Sequence, residues 1–468
     1  MNNCSYLVAL LLLAGWHPSI RSEDEWLGKE VFFKDSAVAM VGSKVIDKYK
    51  VLAFPAIVAE VNGEWLWLGR AWVKKSDCMD LQQAFDQFDE DVSKTPTAAS
   101  AWTNRAIAWR QKGKLDNAIK DFDEAIRIDP RYVKAYFNRG IAKSRLNDHS
   151  AAIKDFDEAI RIDPMDAAAY ISRGNVKFNL KDYAAAIKDY DEAIRINPKD
   201  AIAYNNRGYA KSYMPDYSAA IKDYDEAIRI DPKDASSYII RGMAKSNLKD
   251  YAAAIKDYDE AIRLNPKYSP PYSLRGKAKG DLMDYAAAIK DYDDEIRLNP
   301  NSAKGYYQRG YLKSKMKDYA AAIKDYDEAL RLNPGYAPAC GNRGLCKHLL
   351  KDYAGAIEDY DCAIRSKPRN RNARCNKALL FSTAEDETFL NPDQALKLAD
   401  EALRLDTKDA YAVNAKSCAL AARGDYEAAI ALQESITDPD WLNDEGIDGG
   451  VRAKERLAAW KTKKLWHP

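Results

Sequence analysis

Eight prolines, Pro130, Pro164, Pro198, Pro232, Pro266, Pro300, Pro334 and Pro368, stand 34 residues apart. The stretch before Pro198, KDYAAAIKDYDEAIRINP over 181–198, returns almost letter for letter at 215–232, 249–266, 283–300, 317–334 and 351–368, with a looser copy at 147–164. A fixed period of this length is the mark of a stacked array. One unit cannot bury its apolar stripe alone, so each copy must pack on its neighbours.

Within a unit the pattern is helical. Asp182 is placed to cap a helix, its carboxylate accepting from first-turn N–H groups. Ala186, Tyr190 and Ala193 follow at steps of four and three and share one face. Asp191 with Arg195, and Lys188 with Glu192, are spaced i,i+4 and suit a solvated opposite face. Asn197-Pro198 ends the helix, because a residue before proline is pushed out of the α region. An earlier segment, AYISRGNVKFNL, sets Tyr170 and Gly174 on one face of a preceding helix. The unit is therefore helix A, turn, helix B, turn.

These residues resemble the tetratricopeptide repeat (TPR) family. Its pattern of aromatic, glycine, alanine, aromatic, alanine and proline at positions 4, 8, 20, 24, 27 and 32 is met by Tyr170, Gly174, Ala186, Tyr190, Ala193 and Pro198, and again by Tyr204, Gly208, Ala220, Tyr224, Ala227 and Pro232. The resemblance implies a mainly α, right-handed α-solenoid. Three departures concern packing. Position 7 is arginine in eight copies (Arg105 to Arg343) where the family has leucine, position 11 is mostly lysine (Lys143, Lys177, Lys211), and Glu295 replaces the alanine at position 27. An arginine identical in every copy serves the unit, and pairing with a helix B carboxylate is expected.

The ends of the chain differ in character. The run YLVALLLLAGW over 6–16 has the length of a signal-peptide core, and cleavage near Ser22 is expected, giving a secreted or periplasmic protein. Short β-rich runs fill 24–78, with Asn62-Gly63 as a hairpin signal. The pattern WLWLGRAWV resembles the last strands of bacterial SH3-like small barrels, so an SH3-like β-barrel is expected there. Trp65, Trp67 and Trp72 read as barrel core or as a ligand face. Residues 79–98 keep the register through Ala84, Phe88 and Pro96 and read as a half-repeat capping helix. Eight repeats follow over 99–370 and degenerate repeats over 371–440, with about five extra residues in 383–393. A C-terminal capping helix over 447–465 carries Leu457, Ala458 and Trp460.

Chemistry is sparse. Basic and acidic residues number 72 and 71, so no global bias toward nucleic acid or anionic lipid exists. No phosphate loop is present, the histidines at 17, 149, 348 and 467 are scattered, and the paired carboxylates Asp189/Asp191 and Asp223/Asp225 read as ion-pair partners rather than metal ligands. The chain reads as a non-enzymatic scaffold without cofactor or metal.

What varies between copies can encode a ligand. The varying helix A positions are 2, 5, 9, 12 and 13, which in TPR proteins line the concave groove. Between repeats two and four, the expected peptide-binding residues are Phe137, Asn138, Ile171, Asn175, Phe178, Asn205, Asn206, Tyr209 and Tyr213. Aromatic anchors beside amides suit an extended peptide or a partner helix; the competing reading is that these side chains only pack the superhelix. Position 6 carries Asn104, Asn138, Asn206 and Asn342, part of an asparagine ladder such as some TPR arrays use. The expected partner is a protein or peptide. The alternative is an envelope protein whose residues 24–78 bind a cell-wall component. Finally, four cysteines cluster at 340, 346, 362 and 375; Cys362 and Cys375 lie level across the turn between repeats eight and nine and are the expected disulfide pair, the alternative being four free or buried thiols.

Overall fold

The computed structural model describes residues 78–436 and 450–462, together with the backbone of short strands between 30 and 74. Those strands pair antiparallel; Glu60–Asn62 runs against Trp65–Trp67, matching Asn62 with Trp65. The signal segment and most of the SH3-like barrel expected over 24–78, with the tryptophan side chains assigned to it, lie outside the described residues. Two compact units divide the chain, Met1–Leu248 and Lys249–Pro468, and each is described by itself.

Both units are mainly α. In the first, the helix Leu81–Lys94 precedes antiparallel A/B pairs, among them Ala167–Asn179 with Tyr183–Ile196 and Ala201–Tyr213 with Tyr217–Ile230. The helices begin where the sequence places a cap: Asp182 accepts from Ala185 N at 3.1 Å. The position 20 alanine and position 24 aromatic are buried in the eight repeats, as is position 27, alanine in all but repeat six; Ala220, Tyr224 and Ala227 are examples. Glycine at position 8 lets helix A approach that aromatic. A Cβ on Gly208 would lie 2.7 Å from Tyr224 Cε1 and 3.1 Å from the Ala220 carbonyl oxygen.

The position 7 arginines carry the stacking. Arg173 donates through Nε and Nη2 to Asp189 on its own helix B (3.0 and 2.6 Å), and through Nη1 to Asp157 on helix B of the repeat before (2.6 Å). Each arginine thus reaches sixteen residues forward and sixteen back and ties two repeats together. In the first unit the same fork joins Arg105 to Asp89 and Asp121, Arg139 to Asp123 and Asp155, and Arg207 to Asp191 and Asp223. In the second it joins Arg275 to Asp259 and Asp291, Arg309 to Asp293 and Asp325, and Arg343 to Asp327 and Asp359. Lysine at position 11 closes the other side of the inner carboxylate, as Lys313 does on Asp325 at 2.8 Å. The guanidinium lies over the position 4 ring, 5.4 Å from the Tyr306 centroid for Arg309, a cation–π contact. The paired carboxylates Asp189 and Asp191 are accordingly consumed by arginines of successive repeats. Arg195 pairs with Glu192, three residues away at 2.8 Å, rather than with Asp191, which Arg207 holds.

The A–B turn bears strain. Lys181, Lys249, Lys317 and Lys351 adopt φ of 62–65°, a left-handed conformation that costs an L-residue with a Cβ roughly 1–2 kcal/mol. The first repeat has Gly113 there, at φ 72°. Lys181→Gly is therefore expected to stabilise the first unit, less the extra entropy of a glycine in the unfolded chain. A rise of the thermal midpoint by a few degrees checks it; a fall would show that the lysine side chain compensates the strain.

At the far end, the helix Gly450–Lys461 closes the second unit. Trp460 is buried and Ala458 exposed; Arg456 is buried as well, donating to Asn414 at 3.0 Å.

Candidate functional site

In the first unit the sequence-predicted groove residues meet, but mostly one another. Phe178, Tyr209 and Tyr213 form a cluster with ring centroids 5.2 Å apart, and Tyr183 closes it 5.1 Å from Tyr213. Burial and a Tyr213 hydrogen bond push the Tyr209 hydroxyl well above the usual tyrosine range. Phe137 sits edge-on to Phe156, and Ile171 packs on the cluster of Ala186 and Tyr190. Asn138 bonds its own helix, donating to Lys134 O at 2.8 Å. Asn175 Oδ1 accepts from Tyr190 OH (2.8 Å) and Asn206 Nδ2 (3.1 Å), and Asn205 donates to Ser237 Oγ at 2.8 Å. The anchors are thus largely spent on packing within and between repeats. Still facing no partner are the Oδ1 atoms of Asn205 and Asn206, in residues only 6% and 5% exposed.

An open recess lies instead in the second unit. A cleft of about 250 Å³ is lined by Tyr307, Pro338, Gly341, Asn342, Asn372 and Asn376, on helix A of repeats seven, eight and nine. These are positions 2, 5 and 6 of the repeat; positions 2 and 5 belong to the set that varies between copies, and position 6 is that of the asparagine ladder. Asn342 donates to Tyr307 OH at 3.3 Å, and Tyr411 OH donates to Asn376 Oδ1 at 2.5 Å. Burial pushes the Tyr307 hydroxyl up to about 12, so it stays protonated and able to donate. The polar lining is amide and phenol with one cation, Lys367. It offers hydrogen bonds in both directions and no nucleophile paired with a base.

The disulfide expectation is corrected. Cys362 bonds Cys340, with Cα atoms 6.0 Å apart, and Cys375 is a separate buried cysteine. Positions 4 and 26 of repeat eight each lie eleven residues from Lys351 in the A–B turn, so antiparallel helices bring them level. Cys375 turns into the core around Ala378 and Leu379.

Glu295 occupies a buried alanine position. It accepts from Ser302 Oγ at 2.8 Å, while its Oε2 has no partner. Room comes from Gly305, where a Cβ would meet Glu295 Oε2 at 3.0 Å. Burial raises its pKa above the ordinary 4.5, against the lowering influence of Ser302, Ser273 and Lys304. A carboxyl whose folded pKa is raised gives stability that is full below its unfolded value and lost as pH rises through its folded value. Glu295→Gln is therefore expected to raise the denaturation midpoint of the chain at pH 8 and to leave it unchanged near pH 4. Equal effects at both pH values would show that the carboxyl does not titrate on unfolding.

Tetratricopeptide and TPR repeat models match residues 107–147, 137–201, 201–234, 235–268, 303–336 and 390–443, together more than half of the chain. The chain belongs to the tetratricopeptide repeat family. No curated protein sequence matches it. Similar solved structures include yeast Tom70 (17% identity, covering 82% of this chain and 92% of that one, TM-score 0.41). The C-terminal part of a TPR repeat-containing protein from Cytophaga hutchinsonii is 19% identical over 51% of this chain and 97% of that one, with a TM-score of 0.44. YrrB, described as a TPR protein with an unusual peptide-binding site, is 23% identical over 39% and 95%, with a TM-score of 0.35.

Seen as TPR units, the degenerate C-terminal repeats keep their chemistry. Lys377 stands at position 7 of repeat nine and donates to Asp361 of repeat eight at 2.6 Å; Lys416 reaches Asp400 at 2.8 Å. Asn376 follows Asn342 by one period and continues the position 6 asparagines into the cleft. The signal was that spacing, which reading by alanines and prolines passes over.

Proposed function

We propose that this TPR protein is a non-enzymatic scaffold that binds an extended protein segment along helix A, chiefly in the cleft of repeats seven to nine. The observation that carries this reading is the convergence of Tyr307, Asn342, Asn372 and Asn376 on one open recess. Amides at one-repeat intervals match a peptide backbone, whose N–H and C=O groups need partners wherever they leave water. The test is selection of a displayed peptide library on the full chain. Enriched peptides should lose about tenfold or more in affinity on Asn342→Ala with Asn376→Ala, two amides each contributing on the order of 1 kcal/mol. Binding indifferent to both substitutions, with melting unchanged, would overturn the reading. Export is part of the proposal: the apolar run over 6–16 and the Cys340–Cys362 bond both suit an oxidising compartment.

A further inference from the structure

The insertion in repeat nine seats on the A–B turn of repeat eight. Lys351 Nζ donates to Glu385 Oε2 at 2.6 Å, and the Glu385 amide donates to Tyr353 OH at 3.3 Å. Four residues after Glu385, Phe389 packs its ring 5.5 Å from that of Tyr353. The spacing is set by the single 3-10 turn Glu387–Phe389, capped by Asp386, which accepts from Thr388 N at 3.0 Å. An acidic residue and an aromatic one thereby clasp the lysine and the tyrosine of the turn. Tyr353 is 7% exposed as a result.

The same turn recurs uncovered in the second unit, as Lys249–Asp250–Tyr251 and Lys317–Asp318–Tyr319. The backbone is the same: φ is 63° at Lys249, 62° at Lys317 and 63° at Lys351, and Asp250, Asp318 and Asp352 each cap the helix that follows. Both free lysines are exposed and both tyrosines only half-buried. Neither lysine has an ion-pair partner among the described residues, in contrast to Lys351. The first unit marks the difference, because the ring of Tyr183, two residues after Lys181, is already packed against that of Tyr213. Among the local changes at the covered turn, His348, 5.8 Å from the Tyr353 ring, is Ser314 in repeat seven.

We propose that the Lys249–Tyr251 and Lys317–Tyr319 turns are docking sites for a partner segment carrying an acidic residue four positions before an aromatic one, bound as the chain's own Glu385 and Phe389 are bound on Lys351 and Tyr353. The site is independent of the helix A cleft and lies at the helix A–helix B turns. Two copies in one unit allow a partner with two such segments to gain by effective concentration.

The test uses a fluorescent peptide of residues 383–391, TAEDETFLN, titrated against the full chain by anisotropy. Saturable binding is expected, with loss on replacing the peptide phenylalanine by alanine. Lys249→Glu with Lys317→Glu, at exposed positions outside the core, should weaken it about tenfold, equivalent to 1.4 kcal/mol. A peptide with lysine in place of the first glutamate should fail on the natural chain and bind the doubly substituted one. Absence of saturable binding overturns the proposal. So does unchanged affinity in the double variant, or loss of binding only on Lys351→Glu, which would mean that the peptide merely displaces the chain's own insert.

Discussion

Arg309→Ala is expected to cost the second unit about 3 kcal/mol, a large part of the stability of any single array. Its inner partner Asp325 is only 4% exposed at the side chain, and Arg309 itself 18%. Burial opposes the charge on Arg309, but hydrogen bonds to Asp325 and Asp293 outweigh it and hold the pKa above the usual arginine range. Truncation leaves a buried carboxylate with Lys313 alone, so the loss falls at the lower end of the range for breaking a buried pair. The outer arm to Asp293, which is 53% exposed, adds little. Arg309→Lys keeps the charge and loses the fork, and should recover part of the stability. Urea denaturation of the full chain by circular dichroism reads the midpoint, and hydrogen exchange in Tyr319–Leu332 localises the change. An unmoved midpoint would show that the ladder follows the stacking rather than causing it.

Tyr209→Ala should destabilise the first unit by about 3 kcal/mol, the cost of emptying a buried aromatic site, and Phe178→Ala, at a half-buried ring, by less. The two rings are 5.2 Å apart and share Tyr213 as neighbour, so the double substitution should cost less than the sum. This reverses the expectation that follows from an open groove, in which the pair would weaken a ligand and leave the fold alone. Thermal melting of both single variants decides it: unchanged midpoints would mean that the faces are free for a partner.

The helix pairs, their caps and their buried faces were all legible, because period, proline and alanine spacing act within one unit. So was the pairing of the arginines with helix B. Its second arm was not, since Arg173 to Asp157 depends on how one repeat sits on the last. The cysteines show the same limit. Cys362 is level with Cys375 across one turn and with Cys340 across the other; only the direction each side chain faces decides, and spacing does not carry that. Varied aromatics such as Tyr209 were read as ligand contacts because they change between copies. In the fold Tyr209 packs on Phe178 of the preceding repeat, a contact that a one-repeat template does not register.

The sixteen-residue reach of the arginine fork has a consequence for the history of the chain. Within a unit, each repeat with arginine at position 7 presents Asp at its trailing face and Arg at its leading face, so excising or duplicating such a repeat rejoins ion-pair partners that already match. Removing residues 167–200, for example, would bring Asp157 opposite Arg207, with the chemistry that now joins Asp157 to Arg173. Copy number can therefore change without new charge chemistry at the junction, and only the apolar seam, such as Phe178 on Tyr209, has to repack.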